Sequence, residues 1–216
     1  MSNRSYCYHS GTTKMKPKIF LLVGLLWAHS LFGVTDEITI NNHHFIVKTK
    51  SYDIYDSKGT FMKLYDANSS DKALFRLTLG DATGNCSQRS FEDGSYEIEG
   101  DTITLYTKWS RRGKAYLAPL GAKIQKLKVL SNGTLKSISS YVYVEETKRN
   151  YDKESGMQYL FHAPKNKEEQ EKLSEYIRRM EREYNATFVA GKEAKQLMDE
   201  VKNAMKRKLK KTWKRI

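Results

Sequence analysis

The sequence predicts an α+β fold: an antiparallel β-meander of about eight strands, formed as a small barrel or a sandwich, followed by two C-terminal amphipathic helices. Three observations carry this. Ser95-Tyr-Glu-Ile-Glu-Gly-Asp-Thr-Ile-Thr-Leu-Tyr-Thr-Lys-Trp109 alternates apolar and polar residues on both sides of Gly100-Asp101, the grammar of a tight hairpin with one face on a core. The same period of two recurs from Glu37 to about Glu145 with turn residues between the runs. Beyond Pro164 the period changes to that of a helix.

Taken in order, residues 1–33 read as a signal peptide, with Met15 an alternative start. Lys14, Lys16 and Lys18 precede the apolar run Ile19–Trp27, and Ala28-His-Ser30 offers small residues at the spacing a signal peptidase reads, with Gly33 a second cut point. The run is short of the roughly 20 apolar residues a spanning helix needs. Removal would take Cys7 and leave Cys86 alone, so no disulfide framework is expected and the chain is placed in the periplasm or outside the cell.

Residues 34–146 form the β-rich barrel or sandwich domain. Glu37–Ile40 leads through Asn41-Asn42 into Phe45–Lys50 and Tyr52–Tyr55. Asp56-Ser-Lys-Gly59 reads as a turn, Phe61–Tyr65 as a strand, Asp66–Asp71 as a loop and Leu74–Leu79 as the next strand. Gly80–Gly94 lacks periodicity and reads as a long loop holding Cys86. After the central hairpin, Ser110-Arg-Arg-Gly113 reads as a turn, Ala115–Leu117 as a short strand, residues 122–130 as a longer one, Ser131-Asn-Gly133 as a turn and Leu135–Val144 as the last strand. This succession of short strands closing on a Gly-Asp hairpin is similar to lipocalin-like small barrels at the level of fold class; no Gly-x-Trp stands near the mature N-terminus.

Residues 147–165 are a linker with an edge strand possible at Met157–Phe161, and 166–216 a helical arm with a basic tail. Asn166 with Glu169 makes a capping box, and Leu173, Tyr176, Ile177, Met180 and Tyr184 fall on one helical face. After a break over Asn185–Gly191, Ala194, Leu197, Met198, Val201, Ala204 and Met205 form a second stripe.

The net charge of +13 is a property of the ends: residues 1–35 carry +4, residues 202–216 carry +8, and the middle is nearly neutral at +1. Lys206, Arg207, Lys208, Lys210, Lys211, Lys214 and Arg215, with Trp213 near the end, read as a helix that binds an anionic surface such as anionic lipid, lipopolysaccharide or an acidic protein. Export separates the chain from nucleic acid, which is not an expected partner. The bland alternative is a frayed, solvated terminus.

No catalytic signature is present, and the chain is read as no enzyme, without a cofactor or a metal. His43-His44 point to opposite faces of a strand and so cannot both ligate one ion; with Asp53, Asp56 and His162 they read as turn residues. Cys86 lacks a fixed partner, which leaves a hydrolase with an unrecognised site as a remote alternative. Glu92, Asp93, Glu97, Glu99 and Asp101 read as a solvated cluster around the hairpin. Asn68-Ser-Ser70 and Asn185-Ala-Thr187 fit the N-glycosylation pattern, each with an acidic residue two positions earlier. The function expected is therefore an exported binding module for an apolar ligand or envelope component, with tyrosines 52, 55, 65, 96, 106, 116, 141 and 143 lining a cavity or filling the core. The alternative is a tethering protein that works through its basic helix.

Overall fold

The alternation of the sequence becomes one nine-stranded sheet in which every strand lies beside its neighbour in the chain. The strands are β1 (Val34–Ile40), β2 (His43–Ile54), β3 (Ser57–Asp66), β4 (Phe75–Thr83), β5 (Gln88–Glu99), β6 (Thr102–Gly113), β7 (Leu120–Val129), β8 (Leu135–Glu145) and β9 (Thr187–Phe188). Two helices, α1 (Lys167–Tyr184) and α2 (Gly191–Trp213), flank β9 in sequence. The computed structural model describes residues 34–55, 57–69, 71–84, 88–113, 120–145, 160 and 163–213. The chain divides into two compact units, Met1–Phe32 and Gly33–Ile216; the leader expected over 1–33 lies outside the described residues.

The expected α+β meander is what forms, with one difference of shape. Among the described residues no ladder joins β1 to β8 or β9, so the sheet is open. It is strongly curled all the same, because Ile40, Phe45 and Val47 of the first hairpin share a core with Ile103, Leu105, Leu127 and Val129 of β6 and β7. The curl is pinned at one end: Asn41 Nδ2 donates to the Val129 carbonyl at 3.0 Å, and His43 Nε2 donates to the Ser131 carbonyl. His43 also packs against Gly133, whose φ of +78° suits the Ser-Asn-Gly turn.

Several boundaries differ from the sequence reading. Gly80–Gly94 is mostly strand: β4 runs to Thr83 and β5 starts at Gln88, which shortens the expected loop to its centre, where Asn85–Ser87 lie outside the described residues. Ser110–Gly113 continues β6 rather than turning, in register with Gln88–Phe91. The second turn falls at Tyr55, φ +51°, and Gly59 lies inside β3, where the Tyr52 ring crosses its α-carbon. The break between the helices holds β9, which pairs parallel to β8 at Tyr141 and Val142. The strand expected at Ala115–Leu117 and most of the 147–165 linker lie outside the described residues.

The helices do not form an arm apart from the sheet. Alternate residues of a strand face opposite ways, and the two helices use this alternation. Tyr176 and Met180 of α1 pack on Val142, Val144 and Phe188 on one face, where Trp109 stacks on Tyr184 with centroids 5.2 Å apart and planes 9° from parallel. On the other face Ala194, Leu197, Met198, Val201 and Ala204 of α2 bury against Tyr106, Ala122 and Ile124. The capping reading of α1 is right in outline: Asn166 Oδ1 accepts from Glu169 N at 2.9 Å, but the Glu169 carboxylate reaches Lys165 N at 2.7 Å instead of the cap's own amide. Asn185 closes α1 in the left-handed region, φ +47°.

Candidate functional site

The interior of the curl is filled. Phe45, Met62, Leu64, Leu77 and the β6–β7 aliphatics occupy it as a continuous core; among the described residues one cleft borders this core at Leu77 and Leu105 and another lies under α2.

The larger cleft, about 440 Å³, runs between the start of α2 and the β6–β8 face that this helix covers. Its walls follow from local sequence. Lys108, Ala122 and Tyr143 stand side by side on adjacent strands, and Ala122 is fully buried in the cluster beneath α2. Opposite them, Ala190, Gly191 and Ala194 leave space that larger residues would fill, and Met198 completes the lining with Val144 and Leu160, which belong to the cluster under α1. Lys108, Lys195 and Lys202 share this lining, and the one carboxylate in it, Asp199, already lies 3.5 Å from Lys202. The site therefore combines apolar side chains with a surplus of positive charge.

The smaller cleft, about 300 Å³, mixes Arg76, Glu92, Thr107, Lys123 and Gln125 with the apolar Leu77, Leu105, Trp109 and Tyr184. Lys123 Nζ donates to the Tyr184 carbonyl at 2.7 Å, and burial pushes its amine below the usual lysine range. Its ammonium is thus already committed to the last turn of α1, a positioning role for the helix.

The basic residues expected to meet an anionic surface divide into two groups. Arg207 makes a two-pronged contact with Glu97, at 2.6 and 3.1 Å, and Tyr106 donates to the same carboxylate at 3.0 Å. That hydrogen bond to Glu97 holds the guanidinium above its ordinary value, while burial first and Glu97 second raise the Tyr106 phenol. Lys208 Nζ donates to the Leu79 carbonyl at 2.5 Å and to the Gly94 carbonyl at 2.9 Å, and burial lowers its amine. Lys206 is exposed; the side chains of Lys210, Lys211 and Trp213, and the residues Lys214 and Arg215, lie outside what is described.

The remaining sequence candidates take local roles. His44 Nδ1 lies 3.2 Å from Thr39 Oγ1, and Asp53 pairs with Lys58 at 3.2 Å. Asp56, Cys86 and His162 lie outside the described residues, and among those described no cluster of three His, Cys, Asp or Glu residues could hold a metal ion. Asn68 and Asn185 are both exposed, Asn68 in a turn where its amide donates to Asp66 Oδ1 at 2.8 Å. Asp101 pairs with Lys128 at 3.2 Å, and its hydrogen bond from Thr102 is the first cause of its lowered pKa. Tyr52 donates to Asp81 Oδ1 at 2.6 Å, a bond that, ahead of burial, pushes the phenol up to about 12. Sequence reasoning missed the larger cleft because its wall joins β6, β8 and α2, and the only hint was the small-residue run Ala190-Gly191 with Ala194. Comparison of the chain with protein-family models, with curated proteins and with solved structures finds no match.

Proposed function

We propose that the protein is an exported, non-enzymatic binding module that holds an amphiphilic anion, an acyl chain ending in a carboxylate or phosphate, in the cleft between α2 and the β6–β8 face. The observation that carries the reading is that the lining of a cleft of about 440 Å³ combines apolar Val144, Leu160 and Met198 with Lys108, Lys195 and Lys202. Small-molecule sites occupy about 300–1,000 Å³ and combine mostly apolar walls with a few placed polar groups. Export is inferred from the leader pattern of residues 1–33.

A ligand for the interior of the curl, as a lipocalin-like barrel would have, draws less support, since aliphatic side chains fill that space. A tether acting through the basic tail alone is also less favoured. Arg207 and Lys208, two of its cations, are occupied by Glu97 and by sheet carbonyls.

Displacement of a fluorescent fatty-acid analogue by oleate tests the proposal. Saturable binding is expected, weakened at least tenfold in a Lys195→Glu, Lys202→Glu variant whose far-UV circular dichroism is unchanged; both side chains are exposed, so the fold is spared. Absence of saturable binding by the folded wild type, or equal binding by the variant, sinks the reading.

A further inference from the structure

The outward face of β2, β3 and β4 carries an arrangement that the cleft does not use. Along β2, Ile46, Lys48, Lys50, Tyr52 and Ile54 alternate onto one face, opposite the buried Phe45 and Val47. The register sets Lys48 across from Lys63 and Lys63 across from Arg76, three cations in a row over three adjacent strands about 4.8 Å apart. Like charges placed directly opposite each other destabilise a sheet. Among the described residues none of Lys48, Lys50, Lys63 and Arg76 forms an ion pair. What supports them instead is aromatic: Arg76 lies 4.2 Å and Lys63 5.6 Å from the centre of the Phe61 ring, and Lys48 lies 4.8 Å from that of Tyr65. Glu37, beside Ile46 on the edge strand β1, flanks the row without pairing with it.

A second observation lies at the tip of the same hairpin. Ile54 is 58% exposed and Tyr55 101% exposed, adjacent apolar side chains that pack on nothing among the described residues. The left-handed backbone at Tyr55, φ +51°, sets this ring at the apex of the turn. The helices cover the far half of the sheet, α2 over β6–β8 and α1 over β8 and β9, and neither reaches this hairpin.

We infer that the β2–β3 hairpin with Arg76 is a docking surface for an anionic lipid bilayer: the cation row meets the headgroups and the Ile54-Tyr55 tip enters the interfacial layer. Two features favour a bilayer over a polyanionic chain. The cations form a two-dimensional patch without walls, where a polymer would be held in a groove, and the rings that a nucleobase would stack on already carry the protein's own cations. An exposed aliphatic-aromatic tip has no use on a polymer, but tyrosine and isoleucine at headgroup depth gain from burial. This surface is separate from the cleft and stands whether or not the cleft binds an amphiphile.

The test is co-sedimentation of the full chain with vesicles of phosphatidylcholine mixed with phosphatidylglycerol, and with phosphatidylcholine alone. Binding is expected to the mixed vesicles only and to fall with added salt. Replacing Lys48, Lys50, Lys63 and Arg76 by glutamine is expected to weaken it on the order of a hundredfold or more, since each contributes roughly a factor of five near an anionic surface. Tyr55→Asn, a residue that accepts the left-handed backbone, is expected to weaken it several-fold. The glutamine variant should unfold at an equal or higher urea concentration than wild type, because repulsion has been removed, and that separates lost docking from lost fold. Unchanged vesicle binding by the folded glutamine variant overturns the inference, as does loss confined to a variant with Lys206, Lys210 and Lys211 replaced by glutamine. Preferential binding to oligothymidylate that the face variant abolishes would assign the patch to nucleic acid and overturn it equally.

Discussion

Replacing Val201 by alanine separates a helix that belongs to the fold from one that merely follows it, because the two cases predict opposite signs. Val201 is 0% exposed and sits in the middle of the α2 contact with Tyr106, Ala122 and Ile124. Removing two methyl-sized groups from a packed site forfeits about 1.6 kcal/mol of transfer free energy at ~0.8 kcal/mol each. The residual cavity brings the loss to about 2–3 kcal/mol. Against this stands helix propensity, which favours alanine over valine by about 0.5 kcal/mol. The net expectation is destabilisation by about 2 kcal/mol. With a urea dependence of about 2 kcal/mol per molar, the unfolding midpoint falls by about 1 M with an unchanged slope. An unpacked arm would show only the propensity gain, so its midpoint would stay or rise slightly. Urea unfolding followed by far-UV circular dichroism decides, with Lys206→Ala as the exposed control expected to change stability by less than about 0.5 kcal/mol. A Val201→Ala midpoint at or above wild type would refute the packing described here.

Three further outcomes follow from particular contacts. A β-carbon on Gly121 would overlap the Trp109 indole, so Gly121→Ala must push that ring off Tyr184; a loss of about 2–3 kcal/mol and a changed near-UV spectrum are expected, and an unaltered spectrum would count against the stacked pair. The Tyr52 phenol, raised to about 12 first by its hydrogen bond to Asp81, favours the folded state below its ordinary pKa of 10, and that contribution is lost as the pH rises from 10 to about 12. Absorbance titration should show Asp81→Asn bringing this ionisation down toward 10, and an identical titration in the variant would contradict the assignment. Expressed from Met15 in a bacterium that exports proteins, the mature chain is expected to begin at Leu31 or Val34, and N-terminal sequencing that returns an intact leader would remove the case for export.

The parts of the fold that were legible are those where local chemistry and tertiary structure ask for the same thing. The Gly100-Asp101 hairpin, the Ser131-Asn-Gly133 turn and the Asn166 cap each specify their own geometry within four or five residues. The strand content of Gly80–Gly94 was hidden because Asp81, Glu92 and Asp93 are polar and the glycines are many, while the order there comes from long partners: Asp81 from Tyr52, and β5 from its full pairing with β6. β9 is too short for any period, and only the parallel ladder to Tyr141 and Val142 defines it. The cation row of β2–β4 escaped for a related reason. Lys48, Lys63 and Arg76 are far apart in sequence and become neighbours only through register, so segment-by-segment charge counting points to the termini and passes over the middle.

The tail shows the same limit from the other side. A run of lysines and arginines with no acidic neighbour reads as charge waiting for an anionic surface, yet Arg207 and Lys208 find their counterparts about a hundred residues back. Both contacts fall beside a short ladder in the sheet. β4 and β5 pair at only three positions, Asp81–Thr83 with Ser90–Glu92, although the backbone of Gly94 still packs closely on Thr78 and Leu77 of β4. Near the end of that short ladder the Leu79 carbonyl of β4 and the Gly94 carbonyl of β5 both accept from one lysine of α2. Lys208 lies where it can donate to both, and Arg207 beside it fixes Glu97 on β5 while Glu97 in turn accepts from the buried Tyr106. The last described turns of α2 thus tie β4 and β5 together where their own ladder is short. The density of positive charge at the end of the chain is therefore no measure of the charge free to act: part of it serves the sheet, while the unpaired cations of β2–β4 stand on a segment whose composition is nearly neutral.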